Sequence, residues 1–326
     1  MDGSGALPRD DSLPSDLPGF LARFGTESSC AELLRRWRYP QGFRCGRCGS
    51  RKAWYLERRR LDECAGCGHQ ISLTAGTMFH RTRKPLRSWF AALFLFVSSK
   101  QGISAMELGR QLGMREATAW AWLHKIRHSL GARASDLLRG TVEVDETFEG
   151  GVEPGLRGRG GQTKALVAAA VEIDPKRKGF GRARLRHIAN AEAITLQGFI
   201  ESTVAGDATV RTDGWAGYTE DALAGRTHHP TAIKGSGRKA HEALPAVHRV
   251  FSLFHRVMLG TYQGAVRSKH LSSYLAEFEF RFNRRHARSR TLLFQRALSC
   301  AVLTRAPEYW RIVGRPAPRV RVVEAA

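Results

Sequence analysis

Four cysteines in two pairs place the tightest constraint on this chain: Cys45-x-x-Cys48 and Cys64-x-x-Cys67, with fifteen residues between the pairs. Two thiolate pairs at that spacing suit one tetrahedral zinc ion. Gly49 and Gly68 follow the pairs directly, and glycine there lets the backbone turn tightly enough for its N–H groups to face the sulfurs. The competing reading is two disulfides, which a reducing compartment disfavours. The N-terminal stretch MDGSGALPRDDSLPSDLPGF lacks the basic-then-apolar pattern of an export signal, so a reducing compartment is the expectation. AWYLERRRLDE between the pairs reads as a short hairpin, and HQISLTAGT after them as a strand. These segments predict a zinc ribbon over residues 27–80, preceded by a tail at 1–26. Cys30 and Cys300 have no partner spacing and read as ordinary thiols.

The partner is set by charge. With 52 Lys plus Arg against 30 Asp plus Glu, the formal charge is +22, an excess that faces a polyanion such as nucleic acid or an anionic membrane. The longest apolar run, FAALFLFV, is far short of the roughly 20 residues a spanning helix needs. Nucleic acid is therefore the expected partner, no membrane is expected, and the chain reads as soluble and cytoplasmic.

Residues 81–135 read as helices. After Pro85, the residues Leu86, Trp89, Phe90, Leu93, Phe94 and Val97 recur at spacings of three and four, which makes one apolar helix face. Ser104 and Glu107 then form a capping-box pattern, Gly113 ends a short helix, and Ala119, Leu123, Ile126 and Leu130 stripe the next. Two such helices match a helix-turn-helix. Its second helix would present Arg115, Glu116 and Thr118 to base edges, with Lys125, Arg127 and His128 further along for phosphates. The plainer alternative is a helical hairpin with a solvated charged face.

From residue 141 the period changes to that of strands. TVEVDETF alternates, KALVAAAVEI is continuously apolar, and RARLRHIA alternates again. AEAITLQGFIEST reads as an amphipathic helix, ATVRTDGWAGY as a strand ending at Asp213, and PAVHRVFSLFHRVML as a later helix. Three strands, a helix, a strand with an Asp at its end and a later helix is the order of an RNase H-like α/β domain. The fold class is thus multidomain α/β: a ribbon, a helix-turn-helix domain and an RNase H-like domain over 136–300 made of a mixed sheet with flanking helices.

TVEVDETFEGG gathers Glu143, Asp145, Glu146 and Glu149 in a basic chain. Phosphodiester chemistry with two divalent cations, Mg2+ or Mn2+, needs oxygen ligands brought together from separate elements. Asp145 on a central strand and Asp213 at the end of its neighbour meet that demand. The alternative is a solvated strand face and a turn aspartate. The late helix has no acid over 245–259, but His248, Ser252 and His255 share one face. His248 can offer a neutral imidazole to a metal, and His255 a contact to phosphate.

GFRCGRCG, CGHQISLTAGTMFHRTRKPL, KQGISAMELGRQLG with TAWAWLHKIR, VEVDETFEGG, VRTDGWAGY, HRVFSLFHRVMLGTYQG and YLAEFEFRFNRR lie in one order along residues 20–300. Together they resemble the DDE-type transposases of bacterial insertion sequences, in the ISXO-type group with an N-terminal zinc ribbon. The resemblance implies binding to terminal inverted repeats, cleavage that exposes 3′ hydroxyls and joining of those ends to target DNA, by a homodimer or higher oligomer on DNA. It implies a catalytic set of two acids and a third residue that is Glu, Asn or His, which falls on Asp145, Asp213 and His248. The lysine expected seven residues after the third holds His255 instead. A nuclease on the same fold and an inactive DNA-binding regulator are the alternatives.

Two glycine-rich basic loops, GVEPGLRGRGG with Arg157 and Arg159, and KGSGRK with Lys234, Arg238 and Lys239, suit a DNA track. RFNRRHARSR adds Arg284 and Arg285 as phosphate contacts, and residues 301–326 read as a fraying tail.

Overall fold

The computed structural model describes residues 12–132, 136–150, 164–174, 179–231, 237, 239–264, 266–287 and 289–316. Two compact units emerge: Ala134–His286, and a second that joins Met1–Arg133 to Ala287–Ala326. No helix among the described residues is long and apolar enough to cross a membrane.

The discontinuous unit starts with two helices, α1 (Leu17–Phe24) and α2 (Glu27–Arg38), each opened by a side-chain cap, Asp16 on the Gly19 N–H and Thr26 on the Ser29 N–H. A three-stranded antiparallel sheet follows in the order β1 (Ala53–Leu56), β2 (Leu61–Cys64) and β3 (Gln70–Ser72). Its buried apolar cluster holds only Phe43, Cys45 and Cys64, fringed by Tyr39, Ala53, Cys67 and Ile71. So little apolar burial cannot offset the chain entropy of an independent fold. The sheet is tied to α2 through Arg35, which donates to the fully buried Asp62 at 2.8 Å.

Three helices come next: α3 (Leu86–Ser98), α4 (Ala105–Leu112) and α5 (Glu116–Gly131). Ser104 accepts the Glu107 N–H and caps α4, while Gly113 ends it in the left-handed region at φ 61°. The turn to α5 closes tightly over Gly109, where a Cβ would lie 2.8 Å from the Met114 carbonyl oxygen. Trp89 of α3 and Trp122 of α5 stack at 3.6 Å.

In the unit Ala134–His286, β4 (Thr141–Glu149), β5 (Ala165–Glu172), β6 (Ala183–Ile188), β7 (Thr209–Thr212) and β8 (Thr227–Pro230) form one mixed sheet in the order β6-β5-β4-β7-β8. The first three strands run antiparallel, whereas β7 and β8 join parallel to β4. Strand β4 is therefore central. Its even positions Val142 and Val144 enter the core under α6 (Ala193–Thr203). A short α7 (Glu220–Leu223) links β7 to β8. The opposite face packs on α9 (Pro245–Gly260), which follows the single-turn α8 (Ala240–Ala243), and on α10 (Ser268–Phe282).

Helix α10 also closes the sheet edge. Glu279 accepts the Leu185 N–H, and Asn283 both accepts from and donates to Ala183 on β6, which occupies backbone groups an open edge would leave for another chain. Burial raises the Glu279 carboxyl to about 7, against the opposing pull of the Leu185 N–H and Arg184.

The sequence places the end of the RNase H-like domain at residue 300, whereas the compact unit closes at His286. Helices α11 (Arg290–Leu303) and α12 (Tyr309–Val313) belong with the N-terminal segments. Phe294 of α11 meets Phe20, Phe24, Phe90 and Phe94 at centroid distances of 5.7 to 6.1 Å. Helix α1, inside the expected N-terminal tail, is held because aromatic side chains of α1, α3 and α11 bury one another.

Candidate functional site

Strand periodicity sorts the acidic cluster. Glu143, Asp145 and Glu149 lie on one face of β4, and α9 presents a partner to each in turn. Glu143 is fully buried and accepts the Ala246 and Val247 N–H groups at 2.7 and 3.1 Å, at the first turn of α9. One pleat along, Asp145 Oδ2 lies 3.2 Å from His248 Nε2. At the strand end, Glu149 Oε2 lies 3.0 Å from His255 Nε2. Glu146, on the alternate face, accepts the Tyr218 hydroxyl at 2.6 Å. Burial, then the Glu146 charge, holds that phenol well above its usual range.

Burial also lowers the His248 imidazole below its ordinary value, helped by His241 and opposed by Asp213. His248 is therefore neutral at pH 7, and its 3.2 Å approach to Asp145 is not an ion pair. Nor is it an aligned hydrogen bond: Nε2 is buried without a hydrogen-bond partner. A neutral imidazole nitrogen 3.2 Å from a carboxylate oxygen suits a shared cation. His248 also lines a cleft of about 680 Å3, with Thr147, Arg249, Ser252 and His255 among others.

Asp213 follows β7 directly, and its carboxylate accepts the Trp215 N–H at 2.9 Å. Its charge acts on His248 and, with that of Asp145, on Tyr218. The three residues thus converge from β4, β7 and α9. They are not drawn as close as the cysteines: among the described residues only Cys45, Cys48, Cys64 and Cys67 bring at least three ligand atoms within 4.8 Å of one another.

At that second centre, Cys45 and Cys67 sulfurs lie 3.8 Å apart and Cys48 and Cys64 sulfurs 3.4 Å, so all four are free thiols and not disulfides. Gly49 and Gly68 take φ 75° and 66°. The N–H groups of Arg47 and Gly66 point at the Cys45 and Cys64 sulfurs at 3.4 Å. Paired turns of this kind fit a structural zinc ion held by four thiolates.

Several residues expected on DNA are placed otherwise. Arg115 is exposed and Thr118 half-buried at the start of α5, as a base-reading end requires. Arg127, however, is buried at 1% exposure, and Lys125 lies over the Trp89 ring with its ammonium 6.0 Å from the centroid. Helices α11 and α12 also pack on α5. Arg285 donates to the carbonyls of Phe180, Gly181 and Phe282, and Arg284 to that of Phe280, each guanidinium over a Phe ring. These contacts tie Lys125, Arg127, Arg284 and Arg285 to the fold, while Arg285 and His128 remain exposed along with Arg115. Lys239 is exposed ahead of α8. Arg157, Arg159, Lys234 and Arg238 lie outside the described residues.

Sequence reasoning missed one neighbour of the site. Arg211 reaches Glu143 at 3.3 Å and the Ala243 carbonyl at 3.1 Å; its place two residues before Asp213 was the available signal. Glu149, grouped with the other acids, is distinguished only by its pairing with His255.

Residues 137–283 match the family described as the ISXO2-like transposase domain, and residues 25–70 match the transposase zinc-ribbon domain. The first range nearly coincides with the unit Ala134–His286. An uncharacterized protein in transposable element ISH50 of Halobacterium salinarum is 26% identical over 139 residues, 42% of this chain. The aligned stretch spans 45% of that relative's length.

Proposed function

We propose that this chain, placed by its two matched domains with the insertion-sequence transposases, binds the terminal inverted repeats of its element, cuts to expose 3′ hydroxyls and joins them to target DNA. The observation that carries the reading is the meeting of Asp145 and His248 across β4 and α9, with Asp213 closing the adjacent parallel strand. The strand order, numbered within this sheet as 3-2-1-4-5 with the second strand reversed, supports an RNase H-like domain.

Asp145, Asp213 and His248 would hold two divalent ions, Mg2+ or Mn2+, which supply activation of the attacking oxygen and charge stabilisation at the leaving one. The residues themselves set position and charge. Asp145 Oδ1 accepts the Glu146 N–H at 2.8 Å, which fixes the carboxylate and leaves Oδ2 towards His248. His255 stands where a lysine is expected. Its Nε2 lies 3.0 Å from Glu149 Oε2 without an aligned hydrogen bond, and the ring lines the cleft, where it would meet a scissile phosphate. One site serves both steps, first with water and then with the 3′ hydroxyl as nucleophile, so no covalent protein intermediate is needed.

DNA recognition falls to the start of α5. Arg115→Ala and Thr118→Ala are expected to weaken binding to element ends by about 1 to 3 kcal/mol and binding to random duplex less. Fluorescence anisotropy on both DNAs checks this; equal losses would demote the residues to phosphate contacts. The chain acts in the cell interior on the nucleoid, as a dimer or larger assembly that holds two ends.

A supercoiled plasmid carrying the element ends tests the reading as a whole. Nicks mapped to the 3′ boundaries of the inverted repeats support it. Cuts scattered over the plasmid would reassign the chain to nuclease chemistry, and intact plasmid with retained end binding would make it a regulator.

A further inference from the structure

We infer that Glu143 and Arg211 form a positioning pair that sets the spacing of the three catalytic residues. The inference rests on the functional reading above and deepens it. Glu143 and Arg211 are directly paired in the parallel register of β4 and β7. Asp145 lies two residues beyond Glu143, and Asp213 two residues beyond Arg211. Each acid therefore stands one pleat, about 7 Å, further along its strand than its member of the pair.

The third element is fixed at the same level. Glu143 Oε2 takes the N–H groups of Ala246 and Val247, the two residues before His248. Glu143 Oε1 takes Arg211, whose other terminal nitrogen donates to the Ala243 carbonyl just ahead of α9. One carboxylate and one guanidinium thus join β4, β7 and the start of α9 at a single point below the site. Rotation of α9 about its axis, or sliding along β4, would break the two N–H bonds before it moved His248 from Asp145.

Glu143 has no direct role open to it. The residue is 0% exposed, so it reaches neither DNA nor solvent, and both its oxygens are engaged. A carboxylate sealed in this way acts through the residues it holds. Residues in this supporting position characteristically change metal affinity by about 10- to 100-fold when altered.

Mn2+ binding to the full-length, zinc-loaded protein, followed by the electron paramagnetic resonance signal of the free ion, tests the pair. Asp145→Asn should abolish binding. Glu143→Gln, which keeps shape and one acceptor but loses the ion pair, should bind Mn2+ about 10- to 100-fold more weakly. Raised Mn2+ should then restore end joining to Glu143→Gln and not to Asp145→Asn. Wild-type Mn2+ affinity in Glu143→Gln, alongside its loss in Asp145→Asn, would overturn the inference and leave the site assignment standing. Retained binding in Asp145→Asn would instead overturn the site assignment itself. Should Glu143→Gln not fold, Arg211→Lys, altered at a partly exposed side chain, serves in its place: weakened Mn2+ binding supports the pair and unchanged binding refutes it.

Discussion

Asp145→Asn, Asp213→Asn and His248→Ala are each expected to lower cleavage and joining by about 1000-fold or more while end binding stays intact. A metal-held site contributes several kcal/mol of transition-state stabilisation, and each 1.36 kcal/mol is tenfold in rate. The losses should be similar and not additive, because the three residues act as one unit from β4, β7 and α9. End binding is expected to survive because Arg115 and Thr118, the positions proposed to read bases, belong to the other unit. Single-turnover assays on labelled ends, with binding measured on the same preparations, check the result. Imidazole is a softer ligand than carboxylate and carries no negative charge. Wild type should therefore use Mn2+ at least as well as Mg2+, and His248→Glu should shift the balance towards Mg2+. Near-normal joining by His248→Ala would send the search elsewhere. The nearest preceding acid, Glu242, is exposed and caps the Lys239 N–H at 3.2 Å.

Loss of zinc should have an effect of comparable size on structure. The small cluster around Phe43, Cys45 and Cys64 cannot hold β1, β2 and β3 together unaided. About one zinc per chain is expected, and Cys64→Ser or chelation should release it and unfold residues 45–77. Arg35 would then lose its ordered partner Asp62, which lies on β2 between the cysteine pairs. Metal analysis combined with hydrogen exchange reads both consequences. Full retention of zinc by Cys64→Ser would refute the four-thiolate centre.

What could be read from the sequence was local, and what could not was set by distant contacts. The change of period at residue 141 foretold the strand series because alternation along β4 is a property of nine consecutive residues. His248 and His255 were traceable as one helical face, and the structure gives that face partners on β4. The distinct duties of Glu143, Asp145 and Glu149 were hidden. Three carboxylates two or four residues apart look alike until α9, about a hundred residues later, assigns one to backbone N–H groups and two to imidazoles.

The contacts that the basic residues make within the fold have the same origin. Lys125 and Arg127 read as phosphate contacts because nothing near α5 announces that Trp89 receives Lys125 or that α11 and α12 return to pack on that helix. Arg284 and Arg285 read as phosphate contacts, and a charge run carries no record of the carbonyls at Phe180 and Gly181, roughly a hundred residues earlier, that Arg285 reaches. Phe294 was equally silent: its place among Phe20, Phe24, Phe90 and Phe94 depends on segments from both ends of the chain.

Covalent joining is the most direct test of the central claim, that Asp145, Asp213 and His248 direct a DNA 3′ hydroxyl onto a target phosphodiester. A labelled, pre-cut element end is incubated with supercoiled plasmid and Mn2+ and the products are separated under denaturing conditions. The account predicts label covalently attached to plasmid DNA, absent with a dideoxy-terminated end and absent with Asp145→Asn. Label that never transfers despite specific end binding, or that transfers equally from the dideoxy end, would contradict it.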